Sequence, residues 1–297
     1  MEDARIILNP AASGGAAARC ADAVVRAFRT AGWNVELART GGPGDGARLA
    51  ADASRAGVPR VVALGGDGTV HDVANGLLSA RGTTALGVLP AGTGNDFAKL
   101  AGMHRHHPVK AVPRLIHASV TQFDAGHVLD EYFVNTLGVG LDAAVVRTRN
   151  AMPYLKGFVS YLVPVLRTFF SYRPIRFRLT SPDFQREAPM MQVEVCNGTT
   201  AGGDYRFAPD ANPADGLLDV CLTRGLSLPR FLGLVPRVMR GTHVTSADVT
   251  MFRTRELTIR SLDAPLLMHL DGELRSPATD QCTIRLEPRC LPVLVAR

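Results

Sequence analysis

From Arg5 to Leu89 the chain alternates four short apolar runs with three helical stretches, and this rhythm constrains the fold more than anything else in the sequence. "RIIL", "WNVELA", "RVVAL" and "TALGVL" read as strands. Residues 16–31 place Cys20, Val24 and Phe28 on one helical face and stop at Gly32. Residues 47–56 and 70–80 read as two further helices. A β-α-β-α-β-α-β order builds a parallel, doubly wound α/β sheet, because each helix must cross one face of the sheet before the next parallel strand begins. Such sheets bind ligands beyond the carboxyl ends of their strands. All four of those ends carry glycine-rich loops here, at residues 9–15, 40–46, 65–69 and 90–96.

"RVVAL" runs straight into Gly65-Gly66-Asp67-Gly68-Thr69. Glycines at a strand-to-helix turn let backbone N–H groups approach an anion, and the helix N-terminus adds partial positive charge. The turn therefore suits a phosphate. Thr69 can cap the helix or donate to a phosphate oxygen. Asp67 needs a separate explanation: a carboxylate beside a phosphate requires a cation to join them, which implies Mg²⁺. The plain alternative is an ordinary helix start with glycine turns, and Asp67 weighs against it. No G-x-x-x-x-G-K-[ST] occurs, and in "GTGNDF" Phe97 stands where a dinucleotide fingerprint has its third glycine. Thr93, Asn95 and Asp96 of that loop form a second polar wall instead.

The pattern changes near Gln122. Strand-like alternation recurs over residues 121–140, 175–180, 191–196, 216–223, 256–261 and 265–273, with turn signals between. This half reads as a mostly antiparallel, β-rich sandwich or barrel. Helical insertions fall at about residues 153–171 and 228–240. The expected division is residues 1–122 and 123–297; the final "CLPVLVA" either closes the second domain or returns, at about residues 288–297, to the first. A chain of 297 residues is long enough for two cores.

The net charge of +6 comes almost wholly from arginine. Arginine forks suit phosphate and anionic lipid headgroups, although a compositional bias toward Arg and Ala accounts for them equally well. No basic patch interleaves with aromatics, so nucleic acid is not an expected partner. The five cysteines are scattered, without a C-x-x-C pair, which fits a reducing cytoplasm better than a disulfide framework. Residues 157–170 are the most apolar stretch, but they contain Pro164 and Arg167 and are too short to span a bilayer. The expected location is cytoplasmic, at most peripheral on a membrane surface.

Six motifs follow in order along nearly the whole chain: "NPAASGG" at Asn9, "GGDGT" at Gly65, "PAGTGNDFA" at Pro90, "FDAG" at Phe123, "AGGDYRFAPDANPADGLLDV" at Ala201 and "LDGE" at Leu270. Together they resemble the bacterial soluble diacylglycerol kinase / lipid kinase family, which shares its catalytic domain with sphingosine, ceramide and eukaryotic diacylglycerol kinases. NAD kinases also carry GGDGT; the Pro-x-Gly-Thr-x-Asn-Asp loop and the Asp-Gly-Glu carry the lipid-kinase likeness. The resemblance implies an N-terminal Rossmann-like nucleotide domain, a C-terminal β-rich lipid-substrate domain and an active site in the cleft between them. It implies ATP as phosphate donor, Mg²⁺, and diacylglycerol or a similar lipid as acceptor. Matched residue by residue, Asn9, Pro10, Ser13, Thr40, Gly65, Gly66, Asp67, Gly68, Thr69, Val70, His71, Thr93, Asn95 and Asp96 fall on the nucleotide site. Asp67, Asp96 and Asp124 fall on the Mg²⁺–phosphate network. Asp271 and Glu273 fall on the family's Asp-Gly-Glu, where the base that activates the lipid hydroxyl is placed. A second, more structural Mg²⁺ site maps to Asp215 with main-chain carbonyls near Asn212 and Leu217. The resemblance leaves the oligomeric state open, a homodimer included.

Departures and rival readings bear on these expectations. The family's Asn-Glu after GGDGT-x is His71-Asp72 here, and Asp72 keeps the charge with a shorter reach. Gly202-Gly203-Asp204-Tyr205 lacks a third glycine common at that position, which bears on the acceptor lipid. Without the resemblance, Asp271 reads as an ordinary hairpin turn former, and spacing alone does not choose between Asp271 and Glu273. An NAD kinase needs a later Gly-Ser-Thr-Ala-Tyr-type loop that is missing from the sequence. A non-catalytic nucleotide- or lipid-binding sensor predicts loss of Asp67 or of the Asp271/Glu273 pair, and all three are present. His104, His106 and His107 read as a solvated loop. Lys156, Arg167 and Arg173 beside Phe and Leu read either as an interfacial segment or as part of a buried connecting helix.

Overall fold

A computed structural model of the chain describes residues 3–103, 107–152 and 159–296. His104, His106, Lys156 and the first part of the helical insertion expected at residues 153–171 lie outside the described residues. The chain divides into two compact units, Met1–Ala125 with Glu287–Arg297, and Gly126–Leu286.

The first unit carries β1 (Ala4–Leu8), α1 (Ala16–Thr30), β2 (Val35–Arg39), α2 (Asp45–Arg55), β3 (Arg60–Gly65), α3 (Asp67–Ala80), β4 (Ala85–Pro90), α4 (Asp96–Leu100), α5 (Pro108–Ile116) and most of β5 (Ser119–Val128). The strands lie in the order β2-β1-β3-β4, all parallel. The last strand of the chain joins this sheet beside β4, with Val293 opposite Leu86. All six residues of β4 and five of the six in β3 are buried. Helices cover both faces of such a sheet, which is why these strands read as continuous apolar runs. In α1 the buried side chains include Cys20, Val24 and Phe28, the face expected from their spacing.

Helix α3 begins at Asp67, three positions before the expected start, so Asp67, Gly68 and Thr69 form its first turn. Dense packing of α3 on α2 explains a glycine inside the helix: a Cβ on Gly76 would run into the backbone of Ala47. Gly76→Ala would gain about 1 kcal/mol of helix propensity. The backbone collision outweighs that gain, and we expect a net loss of about 2 kcal/mol, read as a lower urea midpoint with an unchanged slope.

The second unit carries β6 (Glu131–Phe133), β7 (Thr136–Gly140), α6 (Leu141–Asn150), α7 (Val159–Ser171), β8 (Ile175–Ser181), β9 (Phe184–Cys196), β10 (Leu218–Arg224), α8 (Leu228–Arg240), β11 (Val249–Thr254), β12 (Glu256–Ser261), β13 (Met268–Leu270), β14 (Glu273–Arg275) and the first part of β15 (Gln281–Val295). The order is β14-β13-β7-β9-β8-β12-β15, with β10 also on β9 and β11 on β10. Neighbours pair antiparallel, as the alternation predicts. Phe133, Leu137, Phe177, Leu179, Val193 and Ile259 lie in its core. Residues 265–273, expected as one strand, are broken: Asp271 (φ 52) and Gly272 (φ 88) make a two-residue turn between β13 and β14, with Leu270 opposite Glu273. Asp-Gly with positive φ at both positions is the hairpin turn whose twist matches that of the flanking strands.

Candidate active site

The register of the parallel sheet sets four of the expected loops side by side. Leu8 pairs with Arg39 and with Leu64, and Gly65 pairs with Pro90. Asn9, Thr40, Gly65 and Pro90 therefore stand in one row at the carboxyl edge. Beyond the ladders, the Asn9 amide donates to Leu64 O (3.3 Å), that of Thr40 to Leu8 O (2.9 Å) and that of Ala91 to Gly65 O (2.7 Å). Asn9 Oδ1 accepts the Ala11 N–H at 3.0 Å, tightening the turn through Pro10. Ser13 has φ 49 and leads into two positive-φ glycines before α1.

The third and fourth loops touch backbone to backbone. A Cβ on Gly92 would stand 2.5 Å from Gly66 Cα and 2.8 Å from Asn95 Oδ1, so only glycine allows this approach. Asn95 closes the fourth loop on itself: its Oδ1 accepts the Gly92 N–H and its Nδ2 donates to Gly92 O, both at 2.8 Å. No side chain caps the start of α3, and Thr69 is buried without that role. Thr93 is exposed; Val70 and His71 point into the interior, and Asn75 Nδ2 donates to His71 O at 3.0 Å.

Asp67 in the first turn of α3 reaches across to α4, where its Oδ1 accepts the Phe97 N–H at 3.3 Å. Burial pushes its carboxyl up to about 6 and the nearby Asp96 charge adds to the rise, while the amides of Phe97, Asp96 and Asn95 oppose it. Asp96 is itself buried and pairs with Lys99 Nζ at 2.7 Å. Two neighbouring carboxylates, one of them destabilised as an anion, offer the hard oxygen donors that Mg²⁺ takes, and a cation there would remove their repulsion. Asp124 lies fully buried on β5 and its Oδ1 accepts the Arg289 N–H at 2.7 Å, tying the returning C-terminal segment to the first unit. Phe123 beside it packs edge-on against Phe97, with ring centroids 6.0 Å apart, which holds α4 against β5.

In the second unit the Asp271 carboxylate is held by backbone amides from one segment. Val134 N–H donates to Oδ2 (3.1 Å), and Asn135 and Thr136 N–H donate to Oδ1 (2.8 and 3.0 Å). Its own amide donates to Thr136 O at 2.8 Å. Glu273 is exposed, and none of the described residues pairs with its side chain. At the expected second metal site, Asp215 Oδ1 accepts the Leu217 N–H and Asn212 Oδ1 the Ala214 N–H, both at 3.1 Å. The Arg253 guanidinium stands 3.6 Å from Asp215 Oδ2 and 3.0 Å from Asp219, so a protein cation already neighbours those carboxylates.

Sequence reasoning missed a buried group next to the Asp271 turn. His269 Nε2 lies 2.6 Å from Asp142 Oδ2 and 3.8 Å from Glu194 Oε1. Burial pushes the Glu194 carboxyl up to about 8, with Asp142 adding to it and His269 opposing it. For His269, burial works against the cation but Asp142 first, then Glu194 and Asp271, lift it to about 9. The readable signal was Glu194 itself, a carboxylate inside the apolar run "MQVEVC".

Two families match the chain almost end to end. The one described as diacylglycerol kinase catalytic domain matches residues 3–128, and the one described as YegS C-terminal NAD kinase beta sandwich-like domain matches residues 135–295. A YegS-like lipid kinase of Pseudomonas aeruginosa is 32% identical over 253 residues, covering 84% of this chain and 82% of that one. The chain belongs to the YegS-like lipid kinase family. Another similar protein is the diacylglycerol kinase of Bacillus subtilis, 28% identical over 92% of this chain and 90% of its own. The lipid kinase fold is also that of a diacylglycerol kinase crystal structure from Bacillus anthracis, with a TM-score of 0.74 at 19% identity over 99% and 97% of the two chains. An NAD kinase from Archaeoglobus fulgidus shares the fold more distantly, with a TM-score of 0.56 at 12% identity over 99% and 93%. Membership in this lipid kinase family makes the chain a phosphotransferase, with ATP as the implied phosphate donor and a lipid as the implied substrate. Among the described residues no helix is long and apolar enough to cross a membrane.

Proposed function

We propose that the chain transfers the γ-phosphate of ATP to a hydroxyl of diacylglycerol or a similar lipid, giving a phosphatidate-type product. The observation that carries this reading is Asp67: a carboxylate pushed up by burial, set in an uncapped helix start among closely packed glycine loops, with Asp96 beside it. The glycine loops beyond that edge, above all the first turn of α3 at Asp67, Gly68 and Thr69, take the ATP phosphates on backbone N–H groups, aided by the positive end of α3. Asp67 and Asp96 would hold Mg²⁺, with Asp124 supporting the network through the segment it anchors. When bound, Mg²⁺ neutralises charge on the transferring phosphoryl oxygens.

Asp271 serves as the base for the lipid hydroxyl. Three amides fix its orientation, whereas exposed Glu273 has its full rotamer freedom, and a base acts best when its geometry is set in advance. A loose phosphoryl-transfer transition state needs little proton removal until late, so a carboxylate with fixed geometry suffices. An acceptor residing in a bilayer requires contact with a membrane surface. In support, Phe170 on α7 (67% exposed) and Leu232 on α8 (47%) face solvent next to Phe169 and Phe231, whose rings stack at 4.4 Å.

The test is radiolabelled ATP with Mg²⁺, offered a panel of diacylglycerols, monoacylglycerols, ceramide and sphingosine in mixed vesicles and, separately, NAD. Label in a lipid is the expected result. Labelled NAD without labelled lipid overturns the reading.

A further inference from the structure

Asp142, Glu194 and His269 each bring one donor or acceptor atom within 4.8 Å of the others, deep in the second unit. An imidazole with two carboxylates is a donor set that a divalent transition ion accepts. The hydrogen bonds point elsewhere. Gly272 N–H donates to His269 Nδ1 over 3.2 Å, so that nitrogen presents a lone pair and the ring proton sits on Nε2. Nε2 then donates to Asp142 Oδ2 at 2.6 Å, the length of a charge-assisted bond. An ion on Nε2 would move the ring proton to Nδ1, setting one N–H against another at Gly272. The proton occupies the place an ion would take.

We infer that His269 is a positioning residue: it carries a hydrogen-bond relay from Asp142, near the start of α6, to the Gly272 amide, and thereby fixes the Asp271 turn that faces the lipid hydroxyl. This rests on the role proposed above for Asp271. The turn needs such support because Asp271 holds a φ of 52, a left-handed conformation that costs a non-glycine residue energy. The amides of Val134, Asn135 and Thr136 hold the Asp271 side chain. His269 holds the backbone on the other side of the turn. The fold also reserves space for the relay: any side chain at Gly138 would run into His269 Nε2 and Glu194 Oε2.

Glu194 completes the arrangement. It is fully buried; Gln192 Nε2 donates to its Oε2 at 3.1 Å, and among the described residues Oε1 has no hydrogen-bond partner. A neutral His269 with a protonated Glu194 holds as many protons as a cationic His269 with an ionised Glu194. The surrounding carboxylates pull His269 toward the cation, but the Gly272 amide selects the first arrangement, because only a neutral ring leaves Nδ1 free to accept. A protonated Glu194 also spares the interior a second buried anion beside Asp142.

Three proteins test the relay: wild type, His269→Asn and His269→Leu. Asn can set Oδ1 where Nδ1 accepts from Gly272 and loses only the link to Asp142; Leu loses both. The first readout is hydrogen exchange at the Gly272 amide. Protection is expected to stay within about threefold of wild type in His269→Asn and to fall by about tenfold or more in His269→Leu. In the lipid assay kcat should follow the same order, with KM for ATP unchanged. An unprotected Gly272 amide in the wild type, or equal protection in all three, overturns the relay. So does a stoichiometric transition metal in the purified wild type that is lost from both variants. A wild type that labels no lipid but shows the exchange pattern supports the relay and overturns only the lipid reading.

Discussion

Asp67→Ala is expected to fold normally and to lose phosphoryl transfer by on the order of a thousandfold. Asp67 is the acidic residue in the first turn of α3, and its carboxyl is the one in the glycine-loop region that is pushed up to about 6, by burial and then by Asp96. Its removal would delete one of the two proposed Mg²⁺ donors and leave Asp96, which Lys99 already engages. Stability should move the other way. The native state keeps its proton up to about pH 6, whereas the unfolded chain gives it up near 3.8. Stability contributed by this group therefore falls as pH rises through that window, and above it the ionised carboxylate costs the metal-free protein up to about 3 kcal/mol. The variant removes that cost and forfeits the contacts with the amides of Phe97, Asp96 and Asn95. Urea melts of both proteins in EDTA at pH 4.5 and 7.5 check the sign: the variant should gain on the wild type at the higher pH. Added Mg²⁺ should then stabilise the wild type and leave the variant unmoved. Full turnover in Asp67→Ala removes the argument for a cation at this carboxylate.

Asp271→Asn should cost on the order of a hundred- to a thousandfold in kcat, while Glu273→Gln stays within about tenfold. Asn at this position loses the Val134 bond alone, where its Nδ2 would meet another donor; it tolerates the left-handed backbone, and its Oδ1 can still accept from Asn135 and Thr136. The turn therefore persists, and a melting temperature close to wild type checks that it does. What Asn lacks is the capacity to take the hydroxyl proton. Glu273, exposed and without a partner among the described residues, has no fixed geometry to lose. Equal, full rates in both variants remove general-base catalysis from the turn.

Much of the first unit was legible in the sequence. The parallel strands and α1 follow from apolar runs and three- and four-residue spacing, which are local signals that survive without knowledge of the partner. The start of α3 was misplaced by three residues because Gly68 and Asp67 are poor helix formers in isolation; the packing of α3 on α2, tight enough to exclude a Cβ at Gly76, overrides that preference. Helix α4 went unread because five residues show no periodicity. In the second unit β12 and α8 fall on the expected residues, whereas the strand expected over residues 265–273 is interrupted by a turn of only Asp271 and Gly272, too short to break the apolar pattern.

By itself the sequence determined the alternating layers of the first unit, the glycine loops at its strand ends and the order of motifs that the lipid kinase family shares. Each of these is written in neighbouring residues, where backbone freedom and hydrophobic period act over one or two turns. Only the tertiary structure decided what Asp271 and His269 touch. The amide that donates to Asp271 Oδ2 belongs to Val134, 137 positions away, and the carboxylate on His269 belongs to Asp142, 127 positions away. Hydrogen bonds between such remote segments leave no period in the chain; they exist because antiparallel pairing brings β7 beside β9 and β13 and buries polar side chains that gain by pairing.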